Sequence, residues 1–187
     1  VRNTTVRNLA QQLQIDQPHA ARVCETAQRL LADVAEGWEL TGEHAALLQW
    51  AGQLHEAGQF MSYSGYHKHG AYLLAHADLA GFTRQEQRSL AAIVLCHRGR
   101  LSWERLRTHM PGADHPLLRM AILMRLATTI HRTRSTKTPP AIRLSVRGVR
   151  LTVRYPEGWL AERPLTRADL ADISRAMSAV GYTLAFR

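Results

Sequence analysis

The run Leu47-Leu48-Gln49-Trp50-Ala51-Gly52-Gln53-Leu54-His55-Glu56-Ala57-Gly58 decides how this chain is read. Leu47, Leu48, Ala51, Leu54 and His55 recur at three- and four-residue spacing behind Thr41, a helix-capping residue type, and Gly58 supplies a stop. The stretch therefore reads as an amphipathic helix whose apolar stripe ends in an inward-facing imidazole. Similar stripes lie on both sides. Asp16 caps a helix with Pro18 in its first turn and Val23, Ala27, Leu30, Leu31 and Val34 inward until Gly37. Another helix is expected from about His67 to Ala77. Thr83-Arg84-Gln85-Glu86 is a capping box for a helix carrying Leu90, Ile93, Val94 and His97 on one face. A short helix is expected over Trp103 to Leu106, and Pro116 opens a long one with Leu117, Ala121, Met124, Thr128 and His131 along its stripe. Residues 17–132 are thus expected to be consecutive helices with no strand between them.

Thr133-Arg134-Ser135-Thr136-Lys137-Thr138-Pro139-Pro140 has no periodicity and ends in two prolines, so the domain boundary is placed there. Beyond it the period becomes twofold. Ile142, Leu144 and Val146 alternate with Arg143, Ser145 and Arg147, and Val149, Leu151, Val153 and Tyr155 with Arg150, Thr152 and Arg154. A turn at Arg147-Gly148 would pair Val146 with Val149 and Leu144 with Leu151, setting Arg143 opposite Thr152 and Ser145 opposite Arg150. A helix capped by Thr166, with Leu170, Ile173 and Met177 on one side, ends at Gly181, and Tyr182, Leu184 and Phe186 form a last strand. The expected architecture is mainly α: a helical domain over residues 1–132, a linker over 133–140 and a small ββαβ appendage over 141–187, packed on the helices.

The 187 residues suffice for one good-sized domain with an appendage, and 45% apolar content is ordinary for a packed protein. The chain opens at Val1 without a methionine or a signal-peptide pattern and is read as an excised fragment. Its apolar runs are too short for a membrane span. Cys24 and Cys96 fall inside helical patterns without metal-ligand spacing, as buried thiols of a reducing compartment do, so a cytoplasmic location is expected. Lys and Arg number 24 against 15 Asp and Glu, a net charge of +9, which points to an anionic partner. Nucleic acid is not the partner expected, because no helix pair shows a recognition-helix pattern and the basic hairpin lacks stacking aromatics.

His55-Glu56 resembles the metal-binding His-Asp signature of HD phosphohydrolases with the aspartate changed. The position of a final HD aspartate falls at Ala127-Thr128. A narrower resemblance rests on His19-Ala20-Ala21-Arg22-Val23, Trp50 to Gly58, Ser64-Gly65-Tyr66-His67-Lys68-His69-Gly70-Ala71-Tyr72-Leu73-Leu74, Asp78-Leu79-Ala80-Gly81-Phe82 and His97-Arg98. In that order they are similar to the C-terminal half of exopolyphosphatases of the Ppx/GppA type, as are the Thr138-Pro139-Pro140 break and the basic hairpin. The resemblance covers nearly the whole chain. It implies an HD-like helical domain in the regulatory and polyphosphate-binding half of an enzyme that releases terminal phosphate from polyphosphate, with guanosine pentaphosphate as a related substrate. It also implies that hydrolysis, with magnesium as the metal, belongs to N-terminal actin-like domains of the same chain, that the full-length protein is a homodimer, and that this fragment holds no catalytic residue and needs no cofactor.

Two candidate sites follow. His19, His55 and His97 lie on inward stripes, so with Glu56 they form the set that would hold a metal. A metal that activates water for phosphate chemistry normally has a carboxylate ligand, however, and Glu56 displaces its oxygen by a methylene while Thr128 offers only a hydroxyl. The cluster is therefore expected to be a vestigial core. The anion site is expected at His67, Lys68 and His69, where a loop enters a helix, with Arg98 and Arg100 nearby and Arg143, Arg147, Arg150 and Arg154 extending the track. Two other readings remain: a free-standing metal-dependent HD phosphohydrolase acting on a nucleotide, and a basic nucleic-acid-binding module.

Overall fold

A computed structural model describes residues 1–187. Seven helices come first: α1 (Arg2–Gln12), α2 (Gln17–Val34), α3 (Gly42–Leu54), α4 (Tyr66–His76), α5 (Arg84–Cys96), α6 (Trp103–His109) and α7 (His115–Ile130). Strands β1 (Arg143–Arg147) and β2 (Arg150–Arg154), helix α8 (Pro164–Ser178) and strand β3 (Thr183–Phe186) complete the chain. The ββαβ order is the expected one. β2 is central, antiparallel to β1 and parallel to β3.

The start signals act as the sequence implies. Asp16 accepts from the His19 N–H at 3.1 Å, and Thr83 and Glu86 exchange their capping bonds at 3.1 and 2.8 Å. One helix was not foreseen. α1 buries only Val6 and Ala10, too few for a legible stripe, and is fixed by polar contacts: Arg2 donates to the Gly81 carbonyl, Thr5 to the Ala80 carbonyl and Trp50 Nε1 to Asn3 Oδ1, each at 2.8 Å.

Two helix limits and the hairpin register differ most from expectation. α3 stops at Leu54, and Gly58 instead lies in a 3-10 turn over Ala57–Phe60. This turn runs so close to α4 that a Cβ on Gly58 would sit 1.9 Å from the Tyr66 carbonyl oxygen. α8 begins at Pro164 rather than behind Thr166, since a proline's fixed φ suits the first helical position. The hairpin turns through Gly148-Val149, with Gly148 at φ +61°, which leaves Arg147 opposite Arg150, Val146 opposite Leu151, Ser145 opposite Thr152, Leu144 opposite Val153 and Arg143 opposite Arg154. Glycine takes a positive φ without strain at the first turn position, and that preference outweighs the inferred register. The shift is two residues, so the apolar face survives.

One continuous core runs from Val6 to Leu184. α2, α3, α5 and α7 pack together at its centre, and the sheet joins it through β1 against α2. Trp38 Nε1 donates to the Gly148 carbonyl at 3.0 Å, the Leu144 N–H to Asp33 at 2.9 Å, and Arg119 Nε to the Tyr182 hydroxyl at 3.0 Å. No helix is long and apolar enough to cross a membrane.

Candidate functional site

α3 and α5 each end in a histidine turned into the core. His55 Nδ1 donates to the Gly52 carbonyl at 2.6 Å and His97 Nδ1 to the Val94 carbonyl at 2.5 Å. A carbonyl only accepts, so both Nδ1 atoms carry the proton and both Nε2 atoms present lone pairs. The rings of His55 and His97 are 5.4 Å apart, and His19 of α2 is 6.2 Å from His55. His97 Nε2 and His19 Nδ1 are buried without a hydrogen-bond partner. Burial pushes the His55 pKa below 6.5, and burial, then the neighbouring His55, holds that of His97 well below it.

Glu56 is also buried, and its two oxygens meet one guanidinium. Arg134 reaches Oε2 at 2.7 Å and Oε1 at 3.1 Å, and its Nη2 lies 3.0 Å from Asp16. Burial by itself would raise the Glu56 pKa, but the bond from Arg134 and the surrounding positive groups outweigh it and lower the value. Donor atoms of His19, His55 and Glu56 lie within 4.8 Å of one another, close enough to converge on an ion. The residues as arranged nevertheless fit a divalent metal poorly: the carboxylate is neutralised by a tethered cation, and Thr128 turns its hydroxyl back on α7, 2.9 Å from the Met124 carbonyl.

The basic residues fall in several separate environments. His67 is buried and its Nε2 accepts from Arg105 at 3.3 Å; burial, then the Arg105 charge, pushes its pKa down to about 4, so it is neutral where a binding cation was expected. Nor is the start of α4 an open row of donors, because the Tyr66 N–H bonds the Tyr63 carbonyl and the Lys68 N–H that of Gly65. Lys68 and Arg100 are exposed, and His69 lies 3.1 Å from the Ser64 carbonyl. Arg98 stacks over Tyr66, 4.3 Å from its ring centre. Arg143, Arg147, Arg150 and Arg154 share the exposed hairpin face, with only Arg143 near an acid, Asp33, at 3.6 Å.

A cavity of about 560 Å³ brings His19, His55, Glu56 and His97 together with Arg98. Lys68, Arg100 and the hairpin arginines do not line it. It adds Arg125, Arg132 and Arg134, which the sequence reading did not select. Arg134 sits in the aperiodic stretch after α7, where the only available signal was the need of Asp16 and Glu56 for a cation. Arg125 lies mid-helix among apolar residues, and that inward register could have marked it; Nε donates to the Cys96 carbonyl at 2.7 Å and Nη2 to that of Gly99 at 2.6 Å.

Fold and site together define a mainly helical module with a buried histidine–carboxylate–guanidinium centre, a basic exterior and a small sheet on one side. Residues 1–174 match the family described as Ppx/GppA phosphatase, domain III, and the chain belongs to that family. A guanosine-5'-triphosphate,3'-diphosphate pyrophosphatase of Vibrio cholerae is 32% identical over 98% of this chain, and one of Pseudoalteromonas atlantica is 31% identical over 98%. The chain spans 37% of the length of these relatives.

Proposed function

We propose that this chain is the HD-like, polyphosphate-binding and regulatory part of a cytoplasmic phosphatase that removes terminal phosphate from polyphosphate or from guanosine pentaphosphate. The similar proteins' names, which specify a guanosine polyphosphate as substrate, support the phosphoanhydride class. Hydrolysis, with its magnesium, falls to actin-like domains of the same protein, and the full-length enzyme works as a homodimer. The histidine cluster supplies no metal chemistry, because Arg134 neutralises Glu56, the carboxylate that a metal would need.

The observation that carries the reading is the hairpin register. Arg147 faces Arg150 and Arg143 faces Arg154, and like charges directly opposite destabilise a strand pair. A polyanion laid along that face converts the repulsion into binding, and Lys68 and Arg100 offer further exposed cations. The test is to titrate the purified chain with long-chain polyphosphate at low salt while assaying phosphate release with magnesium or manganese. Binding without release is the expected result. Release that disappears in His55→Ala would overturn the reading in favour of a metal-dependent hydrolase.

A further inference from the structure

We propose that the cavity over the histidine cluster binds a nucleoside monophosphate, separately from any polyphosphate on the outer surface. At about 560 Å³ it lies within the usual range of small-molecule sites. Its unmet groups are of two kinds. On the floor are the imidazoles. The Gly52 and Val94 carbonyls fix His55 and His97 as Nδ1–H tautomers, and His97 Nε2 is left as a buried acceptor with no donor. His19, 4% exposed, adds a second buried ring nitrogen without a partner. Leaving such atoms unpaired is costly, and a ligand that donates hydrogen bonds relieves the cost.

At the wall is one arginine that makes no side-chain hydrogen bond or ion pair, Arg98. Arg134 is committed to Glu56 and Asp16, Arg125 to two carbonyls and Arg132 to Asp169. Arg98 has no hydrogen-bond partner on its buried Nη1 and is held in place over Tyr66 and Tyr63, at 4.3 and 5.6 Å. The cavity therefore calls for one anionic group at Arg98 and hydrogen-bond donors at the imidazoles. Inorganic polyphosphate at neutral pH offers almost only acceptors and leaves the floor unmet. A nucleoside monophosphate has both parts: a phosphate, and ribose hydroxyls or a base amino group. Tyr63, 70% exposed beside the cavity, offers a ring face for the base.

The experiment uses the ¹⁵N-labelled chain titrated with adenosine and guanosine 5′-monophosphates, with tripolyphosphate, and with zinc ions, reading the Nε2 resonances of His55 and His97 alongside calorimetry. The nucleotides should move both resonances and tripolyphosphate should not. Arg98→Gln should weaken nucleotide binding roughly ten- to a hundredfold, the worth of a charged hydrogen bond. Lys68→Ala, outside the cavity, should leave it unchanged, so loss of polyphosphate binding and loss of nucleotide binding are separately readable. Nucleotides that leave both resonances unmoved would overturn the proposal, as would resonances that answer only to tripolyphosphate or to zinc.

Discussion

Arg134 holds Glu56 through both carboxylate oxygens, at 2.7 and 3.1 Å, and does so from a backbone with φ +58°, in the left-handed region that a long side chain rarely occupies. The same guanidinium reaches Asp16 at the start of α2. It therefore ties the segment after α7 to the ends of two other helices, and supplies the positive charge that a buried carboxylate needs. Arg134→Ala should cost roughly 2–3 kcal/mol, below the figure for a fully buried pair because the Arg134 side chain is 43% exposed. Urea denaturation measures it. Adding Glu56→Gln should recover part of the loss, since no unpaired charge then remains.

The buried histidines make stability depend on pH with a definite sign. His67 and His131 have pKa values near 4, lowered mainly by burial, and those of His55 and His97 are also lowered; in the unfolded chain all four return toward 6.5. Between those values the unfolded chain binds protons that the folded one refuses. Stability should fall as the pH drops from about 6.5 toward 4, by up to about 1.4 kcal/mol per pH unit for each histidine. Glu56 adds to the acid loss only lower down: its depressed pKa gives stability that is complete above about 4.5 and fades as the pH falls through the folded value. Urea midpoints across this range check the slope, and His67→Gln should flatten it.

Gly58 sets how closely the His55-Glu56 corner approaches α4. A Cβ there would meet two backbone atoms, the Tyr66 oxygen at 1.9 Å and the Gly70 nitrogen at 2.5 Å, and neither can swing aside. Gly58→Ala should cost about 3 kcal/mol or more, at or beyond the upper end of ordinary overpacking, and should disturb the His55 and His97 resonances. Thermal unfolding and an NMR spectrum report both.

The hairpin should be under electrostatic tension. Arg150→Glu places opposite charges across from Arg147 and should stabilise the protein by about 0.2–1 kcal/mol at low salt. The gain should shrink as salt screens it. Melting curves at two salt concentrations measure the effect.

The helical stripes and caps were legible because they are local: Asp16, Thr83 and the Leu47–His55 spacing each state their own structure. The histidine cluster was legible for the same reason, inward register being a property of one helix at a time. What escaped depends on contacts distant in sequence or on close backbone competition. α1 is fixed by carbonyls some 75 to 79 residues away, and Arg134 joins Glu56 across 78 residues. The hairpin slipped by two because both registers keep the same residues inside, and only the preference of Gly148 for a positive φ distinguishes them. His67 looked like a surface cation beside Lys68, but the backbone at Gly99 and the side chain of Arg105 enclose it.

The proposed function requires polyphosphate to be held by placed cations rather than by net charge. The most direct measurement is polyphosphate affinity against salt for the wild type, Lys68→Ala, Arg100→Ala, Arg150→Ala and the exposed control Arg29→Ala. Straight double-logarithmic plots are expected, shallower by about one unit for each of the first three variants and unchanged for Arg29→Ala. Equal loss in all four variants, or no binding at low salt, would contradict it.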